Sequence, residues 1–138
     1  MTFSHIPPPV VVDASVAIEF LVGNPQWTET FDSWAEGDRT LLAPAHFLAE
    51  VANAQLRGLR VPAGDVATRL ERLVAAGIET VDRGLNGLLE AIDLAARHHL
   101  TIYDALYLQL ALDVEGELAT LDADLRRAAA AEDLFVAD

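Results

Sequence analysis

Val10-Val11-Val12-Asp13-Ala14-Ser15 is the stretch on which the fold turns. Three β-branched residues in a row suit a strand buried on both faces, as in a parallel sheet. The run ends on an acid. An unpaired carboxylate at the tip of a core strand is costly. Ligands of open α/β sheets collect beyond the carboxyl ends of the strands, which gives such an acid a purpose. Asp13 also suits the N-cap of a helix over residues 15–22, a role worth ~1 kcal/mol that Ser15 fills equally well.

Outward from this stretch the pattern repeats. Residues 40–43, 78–81, 118–121 and 134–136 are further short apolar runs and predict strands. Helical patterns lie between them. Residues 26–36 put Trp27, Phe31 and Trp34 on one face, a set suited to the core or to a partner. Pro44 suits a helix start, and that helix is expected to run to about Arg60. Residues 63–76, 85–98, 101–112 and 122–131 predict the remaining helices. Short strands alternating with helices imply an α/β sandwich around a mainly parallel sheet. The 138 residues suit one domain with one core, and the 52% hydrophobic content is enough to fill it. Residues 1–9, with Pro7, Pro8 and Pro9, read as a stiff, extended lead-in.

Composition excludes several chemistries. Cysteine is absent, which removes disulfides, thiolate catalysis and thiolate-bound metals and fits a cytoplasmic protein. Lysine is absent too, since all nine basic residues are arginine. A P-loop, Schiff-base chemistry and a lysine base are therefore excluded. The start shows no secretory pattern, and no window approaches the ~20 apolar residues of a membrane span. The net charge of −13 makes nucleic acid an unobvious partner. It reads either as ordinary acidic solubility or as acids masked by metal or by a basic partner.

Three more acids stand in positions like that of Asp13. Glu50 lies in an apolar helix, with Asn53 and Arg57 on its face; a solvated Glu50–Arg57 pairing is the plain alternative. Asp104 follows Thr101 at capping-box spacing, and a helix N-terminus favours an ionised carboxylate whether it caps or binds metal. Asp122 ends the 118–121 run, where it either caps the next helix or faces the cleft, with Thr120 and Asp124 close by. Two carboxylates ~4 Å apart repel by about 4 kcal/mol at an effective dielectric of 20. Four meeting at one sheet edge stay ionised only around cations. Hard oxygen donors select Mg²⁺ or Mn²⁺. His46, His98 and His99 are not expected as ligands.

These residues resemble the PIN-domain ribonucleases, most closely the VapC-like toxins of bacterial toxin–antitoxin pairs. The resemblance rests on Val11-Val12-Asp13-Ala14-Ser15, Leu48-Ala49-Glu50-Val51-Ala52-Asn53, residues 101–111 from Thr101 through Asp104, and residues 118–125 around Thr120-Leu121-Asp122. It implies a PIN-like three-layer α/β/α sandwich and a metal-dependent endoribonuclease. It also implies that Asp13, Glu50, Asp104 and Asp122 hold one or two Mg²⁺ or Mn²⁺ ions, with Asp124 as an extra acid. Ser15, Asn53 and Thr120 match positions that support the site or meet phosphate. The resemblance further implies an RNA substrate (tRNA, rRNA or mRNA), a VapB-like antitoxin and a homodimer.

RNA still needs positive charge, and Arg57, Arg60, Arg97, Arg126 and Arg127 are the candidates; each has solvated helix charge as its plain alternative. The competing function is a catalytically inactive PIN-fold module that scaffolds a protein or RNA. A haloacid-dehalogenase-type phosphatase is disfavoured, because it needs Asp-x-Asp at the first strand and a lysine. This chain has Asp13-Ala14-Ser15 and no lysine.

Overall fold

A computed structural model gives the structure of residues 6–137. Residues 1–5 of the expected lead-in lie outside the described residues, and 6–9 carry no regular secondary structure. The chain then forms β1 (Val10–Val12), α1 (Ala14–Leu21), α2 (Pro25–Glu36), β2 (Leu41–Pro44), α3 (Phe47–Asn53), α4 (Ala63–Ala75), β3 (Ile78–Val81), α5 (Gly84–His98), α6 (Ile102–Asp113), β4 (Glu117–Ala119) and α7 (Ala123–Ala131).

The four strands form one sheet in the order β3-β2-β1-β4, with every neighbouring pair parallel. The chain steps from β1 to β2 to β3, then returns past β1 to β4. Right-handed crossovers in opposite directions place α1 to α4 on one face and α5 and α6 on the other. Packing follows that division. Helix α6 lies on β1, β2 and β4 with α5 and α7 against it, while α1 touches α2 and α3. The result is the expected α/β/α sandwich. The reversal of strand order also opens a crevice beyond the carboxyl ends of β1 and β4.

Burial explains the sequence patterns. Val10, Val11 and Val12 are wholly buried because both sheet faces are covered. Helix α6 is apolar nearly all round because it sits between the sheet and α5, and Tyr107, Leu108 and Leu110 are buried there. Trp27, Phe31 and Trp34 are buried in the core, with Phe31 stacked on Phe20 at 4.1 Å between ring centres. Arg39 ties the amino end to the sheet by donating to the Pro8 carbonyl and pairing with Glu117.

Two expectations need correction. The helix predicted from Pro44 begins only at Phe47, since Pro44 ends β2 in register with Val81. The fixed φ of proline suits a strand end as well as a first helical turn. That helix also changes to a π-helical turn at Ala54–Gly58. The strand predicted at 134–136 shrinks to one bridge between Val136 and Leu118, closed by the Phe135 carbonyl and the Ala137 N–H.

Gly116 precedes β4, and a Cβ there would lie 2.5 Å from the Pro9 carbonyl oxygen. Backbone cannot yield as a flexible side chain does. Gly116→Ala is expected to cost about 1–3 kcal/mol, read as a lower thermal midpoint by circular dichroism. Gly64→Ala, in α4 with nothing within 4 Å, is the control and should unfold at or above the parent's midpoint, because alanine is the better helix former.

Candidate active site

The crevice is built around Asp13. Its Oδ1 accepts the Ala14 N–H at 2.7 Å, so the acid does cap α1. Its Oδ2 accepts two hydroxyls, from Ser15 at 2.9 Å and from Thr120 at 2.6 Å. Each hydroxyl oxygen is itself held by a backbone donor. The Leu121 N–H binds Ser15 Oγ and the Asp122 N–H binds Thr120 Oγ1, both at 3.0 Å. Asp122 caps α7 by accepting the Leu125 N–H at 2.8 Å. One hydrogen-bonded network therefore joins the end of β1 to the turn after β4. Capping and site-building are done by the same side chains.

The other two acids arrive on helices. Glu50 on α3 accepts the Tyr107 hydroxyl at 2.7 Å. Asp104 lies in the first turn of α6, its N–H bound by Thr101 Oγ1 at 3.1 Å. Tyr107 was not singled out from the sequence. Its place one turn after Asp104 on an apolar helix was the available signal, because a buried tyrosine hydroxyl needs a partner.

The acids interact through their charges. Burial raises the Asp13 carboxyl above the ordinary 3.8; the Thr120 and Ser15 hydroxyls oppose this, and the Glu50 charge adds to it. Burial also raises Asp104, followed by the charges of Asp122 and Asp13, while Thr101 and His46 act the other way. Burial and the Glu50 charge push the Tyr107 phenol far above its usual range, so it stays a donor. Among the described residues, none of the four acids is ion-paired with arginine or histidine.

The donor set suits a hard divalent cation: carboxylate oxygens whose repulsion a cation relieves. The side-chain positions form no closed cage. Among the described residues, no three acidic or histidine side chains are grouped tightly enough to hold a metal ion.

The remaining expected residues are more scattered. Asn53 is exposed at the end of α3, and Arg57 and Arg60 are exposed just beyond it. Asp124 is exposed and pairs with Arg127 at 2.7 Å. Arg97 pairs with Asp93 and Glu132. Arg126 donates to the Thr120 carbonyl at 3.1 Å, which puts it beside the network.

Residues 10–131 match the family model of the PIN domain. The chain belongs to the PIN domain family. A search of curated proteins found no match. Among solved structures, this PIN domain is similar to PAE2754 from Pyrobaculum aerophilum, with a TM-score of 0.71 and 20% identity over 94% of this chain and 83% of that one. It is also similar to VapBC2 from Rickettsia felis, solved bound to a DNA fragment of its promoter, with a TM-score of 0.71 and 14% identity over 93% and 96% of the two chains. A third is VapC20 from Mycobacterium tuberculosis, a Sarcin-Ricin loop cleaving toxin, with a TM-score of 0.68 and 16% identity over 86% and 94%.

A carboxyl raised by burial has a definite consequence for stability. The folded state holds the Asp13 proton more tightly than the unfolded chain does. Its contribution therefore falls as pH rises from the ordinary value of 3.8 through the raised folded value. Asp13→Asn keeps a capping side chain and removes the buried charge. In chelator-treated buffer at neutral pH the variant should melt above the parent, and the gap should shrink as pH falls toward 3.8. An equal or lower melting point at neutral pH would show that the carboxylate is not a strained group.

Proposed function

We propose that this PIN domain, as one unit over residues 1–138, is an endoribonuclease dependent on Mg²⁺ or Mn²⁺. We further propose that it is the toxin of a VapBC-type pair that inhibits translation in the cytoplasm. The observation that carries the reading is a nearly buried carboxylate, Asp13, at the strand-order reversal, within charge range of Glu50 and Asp104. Family membership and the toxins among its structural neighbours support it. Among the described residues, no helix is long and apolar enough to cross a membrane.

In this reading Asp13, Glu50, Asp104 and Asp122 hold one or two ions, and Asp124 stands near enough in sequence to assist. Such an ion supplies a Lewis acid for the scissile phosphate and a lowered pKa for attacking water. Ser15 and Thr120 fix the Asp13 carboxylate by donating to one of its oxygens. Tyr107 fixes Glu50 in the same way and cannot compete as a base, because it keeps its proton. Asn53 and the arginines at 57, 60, 97, 126 and 127 are proposed contacts to RNA outside the carboxylate cluster. The exposed apolar residues Leu89 and Ile92 on α5 are the face we assign to a homodimer. The charge of −13 suits an antitoxin with a basic segment.

Asp104→Asn should abolish Mg²⁺-dependent cleavage of total RNA and weaken Mn²⁺ binding by calorimetry, with the melting curve retained. Tyr107→Phe removes only the hydroxyl that orients Glu50 and should cost about 10–100-fold in metal affinity or activity. An inactive scaffolding module would show no cleavage with either ion, and neither variant would change anything measurable.

A further inference from the structure

A groove of about 470 Å³ lies between the end of β2, the start of α5 and one side of α6. His46, Leu85, Leu88, Leu106, Gln109 and Leu110 line it. It is mainly apolar, with few polar groups, as small-molecule sites are. Of the residues that line it, His46 lies within electrostatic reach of Asp104. The imidazole packs against two tyrosine rings, with centres 5.7 Å from Tyr103 and 5.1 Å from Tyr107. Its Nε2 is buried and has no hydrogen-bond partner. Tyr103 is 63% exposed although it is a large aromatic. It precedes Leu106 by three residues and Leu110 by seven, so it prolongs the groove's stripe on α6 toward the acids.

We propose that Tyr103, backed by His46, is a stacking platform for an RNA base next to the cleaved phosphate, and that the groove receives that base. This inference rests on the ribonuclease reading for its substrate class. The argument comes from charge. A protein of net charge −13 with no lysine has little to offer a polyanion. Arg39 and Arg83 are already paired with carboxylates, and so are Arg97 and Arg127, which must exchange those partners to meet phosphate. Binding must then draw on uncharged contacts, and single-stranded RNA supplies them by stacking its bases on aromatic rings. The pair His46–Tyr103 is such a surface beside the reacting end of the crevice. The buried Nε2 has no hydrogen-bond partner, so the imidazole is held by its packing against the two tyrosine rings. His46 is here a positioning residue: it holds the Tyr103 ring.

The test uses the full chain and three labelled probes: rA6, rU6 and an abasic ribose-phosphate of the same length. Affinity is read by fluorescence anisotropy, with Ca²⁺ replacing Mg²⁺ to hold back turnover. The parent should bind the base-bearing probes at least about tenfold tighter than the abasic one. Tyr103→Leu should abolish that preference and leave abasic affinity unchanged, while Tyr103→Phe keeps it. His46→Leu should reduce it and His46→Phe should restore it. With Mg²⁺ and a cleaved RNA, Tyr103→Leu should raise KM and leave kcat within about twofold.

Equal affinity for abasic and base-bearing probes, or a Tyr103→Leu variant that binds as the parent does, overturns the proposal. If the parent cleaves no RNA yet binds bases through Tyr103, the nuclease reading fails and the platform stands. If it cleaves RNA without preferring bases, the platform fails alone.

Discussion

The hydrogen bond from Thr120 Oγ1 to Asp13 Oδ2 joins residues 107 apart in sequence. It exists only because β4 pairs with β1, register for register from Val10–Glu117 to Val12–Ala119. That pairing brings the end of each strand to one place. The hydroxyl then does two things at once. It stabilises the ionised form of a carboxyl that burial disfavours, and it accepts the Asp122 N–H, which sets the cap of α7. Without the β1–β4 contact Asp13 would be a buried charge with only the local Ala14 N–H and Ser15 hydroxyl for company. The sheet order thus comes first, and the crevice is its consequence.

The acids are poorly arranged for stability, and that is informative. Burial and like charge raise both Asp13 and Asp104. A protein selected only for stability would not collect carboxylates where each disfavours the next. Perturbed groups of this kind concentrate at functional sites. The Tyr107–Glu50 contact points the same way. A tyrosine held protonated by burial and by a neighbouring carboxylate serves to orient that carboxylate, not to titrate.

Much of this was legible in the residues. Three valines followed by an acid identified the central strand, and the alternation of short apolar runs with helices identified the layers. Asp13 and Asp122 were expected at one sheet edge, and the pairing of β1 with β4 brings the ends of their strands together. What escaped was what depends on tertiary distance. The Tyr107 hydroxyl reaches Glu50 across 57 positions, and an apolar helix gives no sign of that bond. The start of α3 was misplaced because proline fits a strand end as readily as a first helical turn. The turn at Ala54–Gly58, where the helix widens to π geometry, carries no propensity signal of its own. Side-chain spacing among the acids was equally unreadable. Helix register fixes a face, whereas the gap between two carboxylates depends on rotamers.

Charge poses the remaining problem. Acids outnumber arginines by 22 to nine, yet the proposed substrate is a polyanion. Cations at the crevice would cancel some of that repulsion locally, where the phosphate must sit, and leave the rest of the surface negative. Such a surface repels non-specific nucleic acid, since counterion release by basic side chains provides most non-specific affinity. An RNA would be admitted only where it also satisfies uncharged contacts, which we place at the exposed Tyr103 and the apolar groove lined by His46. Repulsion over most of the surface and attraction at one end of one crevice would together act as a filter. The same negative surface favours a basic protein partner, whose approach the field would speed. Lysine-free, acid-rich composition, which first argued against nucleic acid, would then be part of how the proposed nuclease distinguishes one RNA site from bulk RNA.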